Sequence, residues 1–295
     1  MQSALTERDI RPAANAMPML SRKSPGIING SALGRIGPLE VRLARDAAEI
    51  AASQEVRYRV FYEELGAKRQ LVHALEQRDA DRYDDACDHL LVFDTSVPGP
   101  DTNRIVGTYR LLRQERTAIT GGFYSNDEFD LDSLVARHKG LRFLELGRSC
   151  VLPAYRSKRT IEVLWQGIWA YINHYEIGVM TGCASFHGTV PAQHAEALSY
   201  LAHHCRPDPL WDVRAVEDRY HPMDMMPVEA VSMRSAFNAT PPLIKGYLRA
   251  GAKIGDGCVI DHDFGTTDVF IILPVAAIVA RYVNYLTTEA ERFAA

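Results

Sequence analysis

The segment from Arg57 to Arg159 concentrates the side chains of this 295-residue chain that could do chemistry. Arg57 and Phe61 belong to the run Arg57-Tyr-Arg-Val-Phe61, and a polar stretch follows at Asp79-Ala-Asp81-Arg-Tyr83-Asp84-Asp85. Arg110 stands within one apolar run and Glu145-Leu-Gly-Arg148 within the next. Guanidinium groups grip carboxylates through paired hydrogen bonds. A carboxylate withdrawn from water gains the raised pKa that suits a general base. On an extended strand Glu145 and Gly147 share one side, and Arg148 joins them only if a bulge at Gly147 interrupts the alternation. Taken singly, each residue has a plainer reading. Asp81, Asp84 and Asp85 would be a solvated loop, and Glu145 with Arg148 a structural ion pair. Their concentration in one segment is what marks a candidate site.

The surrounding pattern says which elements must position them. Residues 1–38 mix Ala, Pro, Ser and Gly without a steady apolar period, which predicts a poorly ordered leader. From Leu39 the alternation of LEVRLA predicts a strand. Asp46 with Glu49 three residues on predicts a helix start, with Ile50, Gln54, Phe61 and Leu65 near one face and Gly66 as the stop. HLLVFD and RIVGTYRLL read as antiparallel strands, and GGFYSNDEFDLDSL as a loop entering a short helix. LRFLELGRSCVL is the next strand. Ile161, Leu164, Trp165, Ile168, Ile172 and Tyr175 then mark a long amphipathic helix. GVMTGCASF is a further short strand, residues 192–203 and 242–249 are helices with Gly251 stopping the second, and DGCVIDHDFGTTDVFIIL is a strand pair around HDFGTT. Hairpins beside a strand–helix–strand unit predict an α/β fold with a mixed central sheet flanked by helices, not a purely parallel one. Residues 39–295 are expected to be one domain with a C-terminal extension.

Composition narrows the function. Hydrophobic residues make up 47% and charged residues 24%, enough to fill a sizeable core, and the net charge is −4. That balance argues against nucleic acid as a partner, because phosphate binding calls for a basic face. Five scattered cysteines without a C-x-x-C read as free thiols of a reducing compartment. The first ten residues carry Glu7, Arg8 and Asp9 and lack the apolar stretch of a signal peptide. The longest apolar run, VFIILPVAAIVA, is too short to span a bilayer and reads as a strand followed by a helix. The expected location is the cytoplasm. Since the helix beginning near Val275 carries Arg281 among apolar residues and tyrosines, peripheral contact with the inner membrane is a second expectation.

The motif order RYRVFYEELG, DADRYDDACDHLLVF, IVGTYRLL, ELGRSCV resembles that of the acyl-homoserine-lactone autoinducer synthases. By that resemblance Arg57, Phe61, Asp81, Asp84, Arg110, Glu145 and Arg148 occupy characteristic positions. Ala67 departs from it, standing where a tryptophan is usual, and the chain runs on well past that family's usual end. A resemblance from about Leu39 to the C-terminus is closer. YDDACDHLLVFD, ELGRSCVLPAYRSKRTIEVLWQGI, GCASFHGT, PPLIKGYLRAGAKIGDGCVIDHDFGTTDVFIIL and RYVNYL resemble the L-ornithine Nα-acyltransferases, and also occur in hemolysin-like acyltransferase relatives. The resemblance implies a GNAT-like fold and aminolysis of a thioester. A 3-hydroxyacyl group would move from the phosphopantetheine of acyl carrier protein to the α-amine of L-ornithine, giving lyso-ornithine lipid, with no tightly bound cofactor.

Under that reading Glu145 is the candidate base and Arg148 its catalytic companion. Asp81 and Asp84 would hold the cationic amino acid or organise the loop, Arg57 or Arg110 would meet the α-carboxylate, and Phe61 would lie at the substrate. The turn AYRSKRT lacks the glycines of a pyrophosphate loop and carries Arg156, Lys158 and Arg159, a basic cluster suited to an acidic carrier. His187 and His194, and the neighbouring His203, His204 and Cys205, lack ligand spacing, so no metal is expected. His187 reads as packed or substrate-facing, and Cys150 as a packing thiol before a nucleophile. Two other readings stay open. One is an acyl-homoserine-lactone synthase, which Ala67, the long C-terminal part and PPLIKGYLRAG disfavour. The other is a silent carrier-binding or membrane-surface module.

Overall fold

The computed structural model describes residues 30–68 and 75–278. Among these, the strands are β1 (Gly34–Ile36), β2 (Leu39–Leu43), β3 (Asp88–Asp94), β4 (Ile105–Arg113), β5 (Phe143–Val151), β6 (Val179–His187), β7 (Lys253–Ile254), β8 (Val259–Asp261) and β9 (Thr266–Pro274). They form one sheet in the order β1-β2-β3-β4-β5-β6-β9-β7, with β8 also paired to β9. Every pairing is antiparallel except β5 with β6. The principal helices are α1 (Ala47–Tyr58), α2 (Leu131–Arg137), α3 (Lys158–His174), α4 (Ala195–His204), α5 (Met233–Ala239) and α6 (Pro242–Ala250). The mixed sheet is the expected one. β1 begins upstream of Leu39, inside the stretch expected to be leader; the helix expected from near Val275 opens with a 3-10 turn at Val275–Ala277, and its part beyond residue 278, like residues 1–29, lies outside the described residues.

The period-2 alternation of the strands sorts the core into two layers. On one face Leu90 and Val92 of β3 and Val269, Ile271 and Leu273 of β9 pack with Val163, Ile168 and Trp169 of α3, and with α4 and α6. On the other face Leu91 and Phe93 pack with Val56 and Val60 of the first helix. Further along that same face Phe270 and Ile272 meet Phe129, Leu131 and Phe143. Each large side chain buried this way contributes about 1.5–3 kcal/mol, so the two layers dominate the stability of the sheet.

α1 starts where expected, with the Asp46 side chain accepting from Glu49 N. Its inner face differs from the expected one. Gln54 is buried, but Leu65 is 43% exposed. The reason is that residues Arg59–Glu64 continue as π-helix, and the wider turn rotates the later side chains out of the α-helical register. α3 buries Leu164, Ile168 and Ile172 as expected but leaves Ile161 exposed, and its buried face extends to Val163, Trp169 and Tyr171. Gly251 closes α6 with φ +104°, as the sequence predicts. Among the described residues no helix is long and apolar enough to cross a membrane.

The parallel pairing of β5 and β6 is short. Phe143, Leu144 and Glu145 pair with Val179, Met180 and Thr181, and the strands then part. At the parting point Gly182 has φ +154°, and a Cβ there would overlap the carbonyl oxygen of Leu146. The close approach before the divergence therefore needs glycine. Gly182→Ala is expected to lower stability by about 2 kcal/mol or more, measured by urea unfolding. A wild-type midpoint would show that the strands can separate there at no cost.

Candidate active site

Between the parted strands lies a cavity of about 250 Å³. It is lined from both faces of the sheet: Glu145, Thr181, Cys183 and Asp268 on one, Tyr109, Met180 and Ile271 on the other. Leu243 and Tyr247 of α6 close the apolar side. Phe61 and Phe264, ring centroids 5.6 Å apart and edge to face, close the opposite side.

A bulge is present, but at Arg148 and Ser149 and not at Gly147, which stays paired with Arg110. Thr108 pairs with Cys150 and Arg110 with Gly147, so β5 carries one extra residue opposite Tyr109. Arg148 sits in it at φ +49°, a conformation rare for a residue with a Cβ. The bulge swings Arg148 into the cavity wall beside Glu145, where its guanidinium lies 4.9 Å from the Tyr124 ring centre and 4.5 Å from that of Phe264.

Behind this wall, three arginines and three aspartates satisfy one another. Arg57, fully buried, donates to Asp79 Oδ2 and Asp84 Oδ1, each at 2.7 Å, and to the Asp79 carbonyl. Arg110 donates to Asp81 Oδ1 at 2.6 Å and Asp84 Oδ1 at 3.2 Å. Arg148 donates to Asp79 Oδ2 at 3.1 Å and Asp81 Oδ2 at 3.2 Å. Gln54 and Tyr62 add hydrogen bonds to Asp84 and Asp79. Burial alone would raise the Asp79 and Asp84 pKa values, but the arginines outweigh it and hold both below the usual carboxylate range. Arg57, Asp81, Asp84 and Arg110 do not line this cavity, where the sequence puts Arg57 or Arg110 at the α-carboxylate and Asp81 and Asp84 either at the cationic amino acid or in organising the loop. Their polar atoms are already engaged with one another, and what they fix is the position of Arg148.

Glu145 does line the cavity. Its carboxylate accepts from Tyr124 N at 2.7 Å, Ser125 N at 2.8 Å and the Ser125 hydroxyl, which anchors the turn Tyr124–Asp127 over β5. Burial raises its pKa, and these hydrogen bonds offset only part of the rise. Cys150 is not poised as a nucleophile, because burial pushes its thiol up to about 12. Burial raises the other four thiols as well. His187 lines the cavity mouth. In the basic turn, Arg156 is engaged by both oxygens of Glu64 at 2.5 and 2.6 Å, whereas Lys158 and Arg159 are exposed at the start of α3, capped by Ser157.

Sequence reasoning missed three things. Asp79 is the aspartate on which Arg57 and Arg148 converge. The turn at Tyr124 and Ser125 cradles Glu145. Glu128, Asp261 and Asp268 bring carboxylate oxygens within 4.8 Å of one another at the cavity edge. The last group had a signal. Asp268 is a lone charge in a strand that is otherwise apolar or hydroxyl-bearing.

A splayed parallel strand pair, a bulge in the first of the two strands and a helix crossover between them define an acyltransferase of the GNAT class, and residues 56–166 match the Acetyltransferase (GNAT) domain. The chain is 60% identical over 267 residues to an L-ornithine N(alpha)-acyltransferase of Brucella abortus (strain 2308), covering 90% of this chain and 95% of that one. It is 55% identical over 264 residues to the protein of the same name from Agrobacterium fabrum (strain C58 / ATCC 33970), covering 90% of each. Among solved structures, FeeM, an N-acyl amino acid synthase from uncultured soil microbes, aligns over 81% of this chain and 91% of its own, with TM-score 0.46 and 10% identity. The chain belongs to the L-ornithine Nα-acyltransferase family.

The acidic group has a measurable electrostatic consequence. Burial, with the nearby Asp268 charge adding to it, pushes Glu128 up to about 7. An unfolded glutamate ionises near 4.5. Between these two values the folded chain keeps a proton that the unfolded chain has lost, so stability falls as pH rises through that window. Glu128→Gln is accordingly expected to stabilise the ligand-free protein at pH 8 by about 2–3 kcal/mol and to change little at pH 4.5. Thermal melts at the two pH values check this.

Proposed function

We propose that this protein transfers an acyl group from a carrier-bound thioester to the α-amine of L-ornithine. The observation that carries the reading is the cavity across the β5–β6 gap, in a chain 60% identical to a protein named for that acylation. The amine nitrogen attacks the thioester carbonyl carbon, the C–N bond forms and the C–S bond breaks. The proton lost by the amine ends on the departing thiol.

Four features of the site support this chemistry. Past Glu145 the β5 edge facing β6 has no ladder partner, which leaves backbone donors for a thioester or pantetheine amide. The apolar wall of Tyr109, Met180, Ile271 and Leu243 suits an acyl chain. Glu145, desolvated and facing the cavity, is suited to take the amine proton directly or through water. Arg148 is, among the described residues, the only arginine lining the cavity, which suits it to the α-carboxylate better than Arg57 or Arg110 behind the wall. A 3-hydroxyacyl donor on acyl carrier protein is the finer form of this reading. Lys158 and Arg159, exposed at the N-terminus of α3 with Lys158 3.4 Å from Glu162, offer the complementary surface for that acidic carrier.

Release of free thiol from acylated carrier protein is the direct test. It should require L-ornithine and no S-adenosylmethionine, and mass spectrometry should find the Nα-acyl product. Release that needs S-adenosylmethionine, or no release, overturns the reading. Glu145→Gln should lower kcat by about 100-fold or more while the fold is kept, and unchanged turnover removes Glu145 from proton transfer. Reversal of both Lys158 and Arg159 to Glu should raise KM for the carrier substrate about tenfold at low salt, with kcat unchanged. An unaltered KM would place carrier docking elsewhere.

A further inference from the structure

The acceptor in that reaction has two amines, and the structure distinguishes where each would lie. We infer that Glu128, Asp261 and Asp268 form the binding site for the side-chain ammonium of the acceptor amino acid, and thereby decide that the α-amine is the one acylated. This rests on the acyl transfer to L-ornithine proposed above.

Three observations carry it. Glu128 and Asp268 are each more than nine-tenths buried, yet Arg219, 3.4 Å from Glu128, is the one cation that pairs with the cluster among the described residues. A buried carboxylate group with too few counter-charges must either keep protons or take up a further cation. Asp268 belongs to the cavity wall with, among the described residues, only the Ser185 and Thr266 hydroxyls and no cation beside its carboxylate, and the buried Thr181 Oγ1 in the same wall has no partner. A buried oxygen without a donor is costly, and a bound ammonium would supply one. The cluster is also at the right remove from the candidate base. Glu145 bonds the Ser125 hydroxyl, Cys183 Sγ lies 3.3 Å from that hydroxyl, and Glu128 Oε2 lies 3.2 Å beyond the sulfur. The three-carbon stem of ornithine is long enough to hold its α-nitrogen at Glu145 and its terminal nitrogen among the three carboxylates.

An ammonium fits better than a metal ion. The Arg219 guanidinium already lies against Glu128 and would repel a divalent cation, and the Cys183 thiol donates to one of the Glu128 oxygens. Held by carboxylates, the terminal nitrogen keeps its proton and has no lone pair for attack. Selectivity for the α-amine then follows from charge.

The test compares L-ornithine with L-norvaline, which has the same stem without the terminal amine. The wild-type enzyme should prefer ornithine in kcat/KM by about 100-fold or more. Asp268→Asn, and separately the more accessible Asp261→Asn, should reduce that preference at least tenfold, mainly by raising KM for ornithine. A melting curve confirms that each variant folds, and Asp261→Asn serves if Asp268→Asn does not. Wild-type activity on ornithine with an unchanged preference in a folded variant would overturn the ammonium site. Ornithine-dependent activity that is lost to EDTA and restored by a divalent cation would overturn it in favour of a metal. No activity on ornithine in the wild-type protein would instead remove the function on which this inference stands.

Discussion

The buried guanidinium of Arg57 is the constraint on which the site depends. It lies out of contact with solvent and is matched on its several N–H groups by Asp79 and Asp84, so the loop that carries them has little freedom to move from α1. Removing one partner from such a network strands the opposite charge, at a cost of about 3–5 kcal/mol. The same aspartates, with Asp81, reach across to Arg110 on β4 and Arg148 on β5. Thus one network fastens a helix, a loop and two strands together. It also holds Arg148 in a backbone conformation that an isolated strand would not adopt.

With that wall fixed, the proposed chemistry depends on a fault in the sheet. A parallel pair bonded for three residues and then parted leaves unpaired backbone facing a cavity, inside an otherwise continuous array of strands. Glu145 stands at the last bonded position, where the ladder ends and the opening begins. The turn at Tyr124 and Ser125 supplies three donors to its carboxylate, so the group is oriented before any substrate arrives. Preorganisation of this kind avoids rearrangement at the moment of reaction.

Much of this was legible in the chain. Alternation marked β2, β3, β4 and β5, helical spacing marked α3, and Asp46 and Gly251 marked helix ends, because each signal is local and strong. The presence of Arg57, Asp81, Asp84, Arg110, Glu145 and Arg148 in one neighbourhood was likewise foreseeable. Their division of labour was not. Whether an arginine meets substrate or another side chain depends on which partners the fold delivers, and Asp79 lies 69 residues from Arg148. The π-helical turn at Arg59–Glu64 was hidden for a different reason. Its residues are ordinary helix formers, and packing decides the wider turn. Asp268 was visible as a charge in a buried strand, but its neighbours Glu128 and Asp261 come from elements far away along the chain.

The sheet serves here as a partition with a single slot. Polar residues border the slot on one side and apolar ones on the other, so in the proposed reaction a charged acceptor and a greasy donor would each be received without displacing the other. Such an arrangement favours a complex in which both are present at once over a relay through the protein itself, and the high pKa values of the thiols agree with that. It also sorts the product by polarity. The new amide would sit in the slot, its head among carboxylates and its tail against α6, and the two ends would have to withdraw from opposite sides of the same wall.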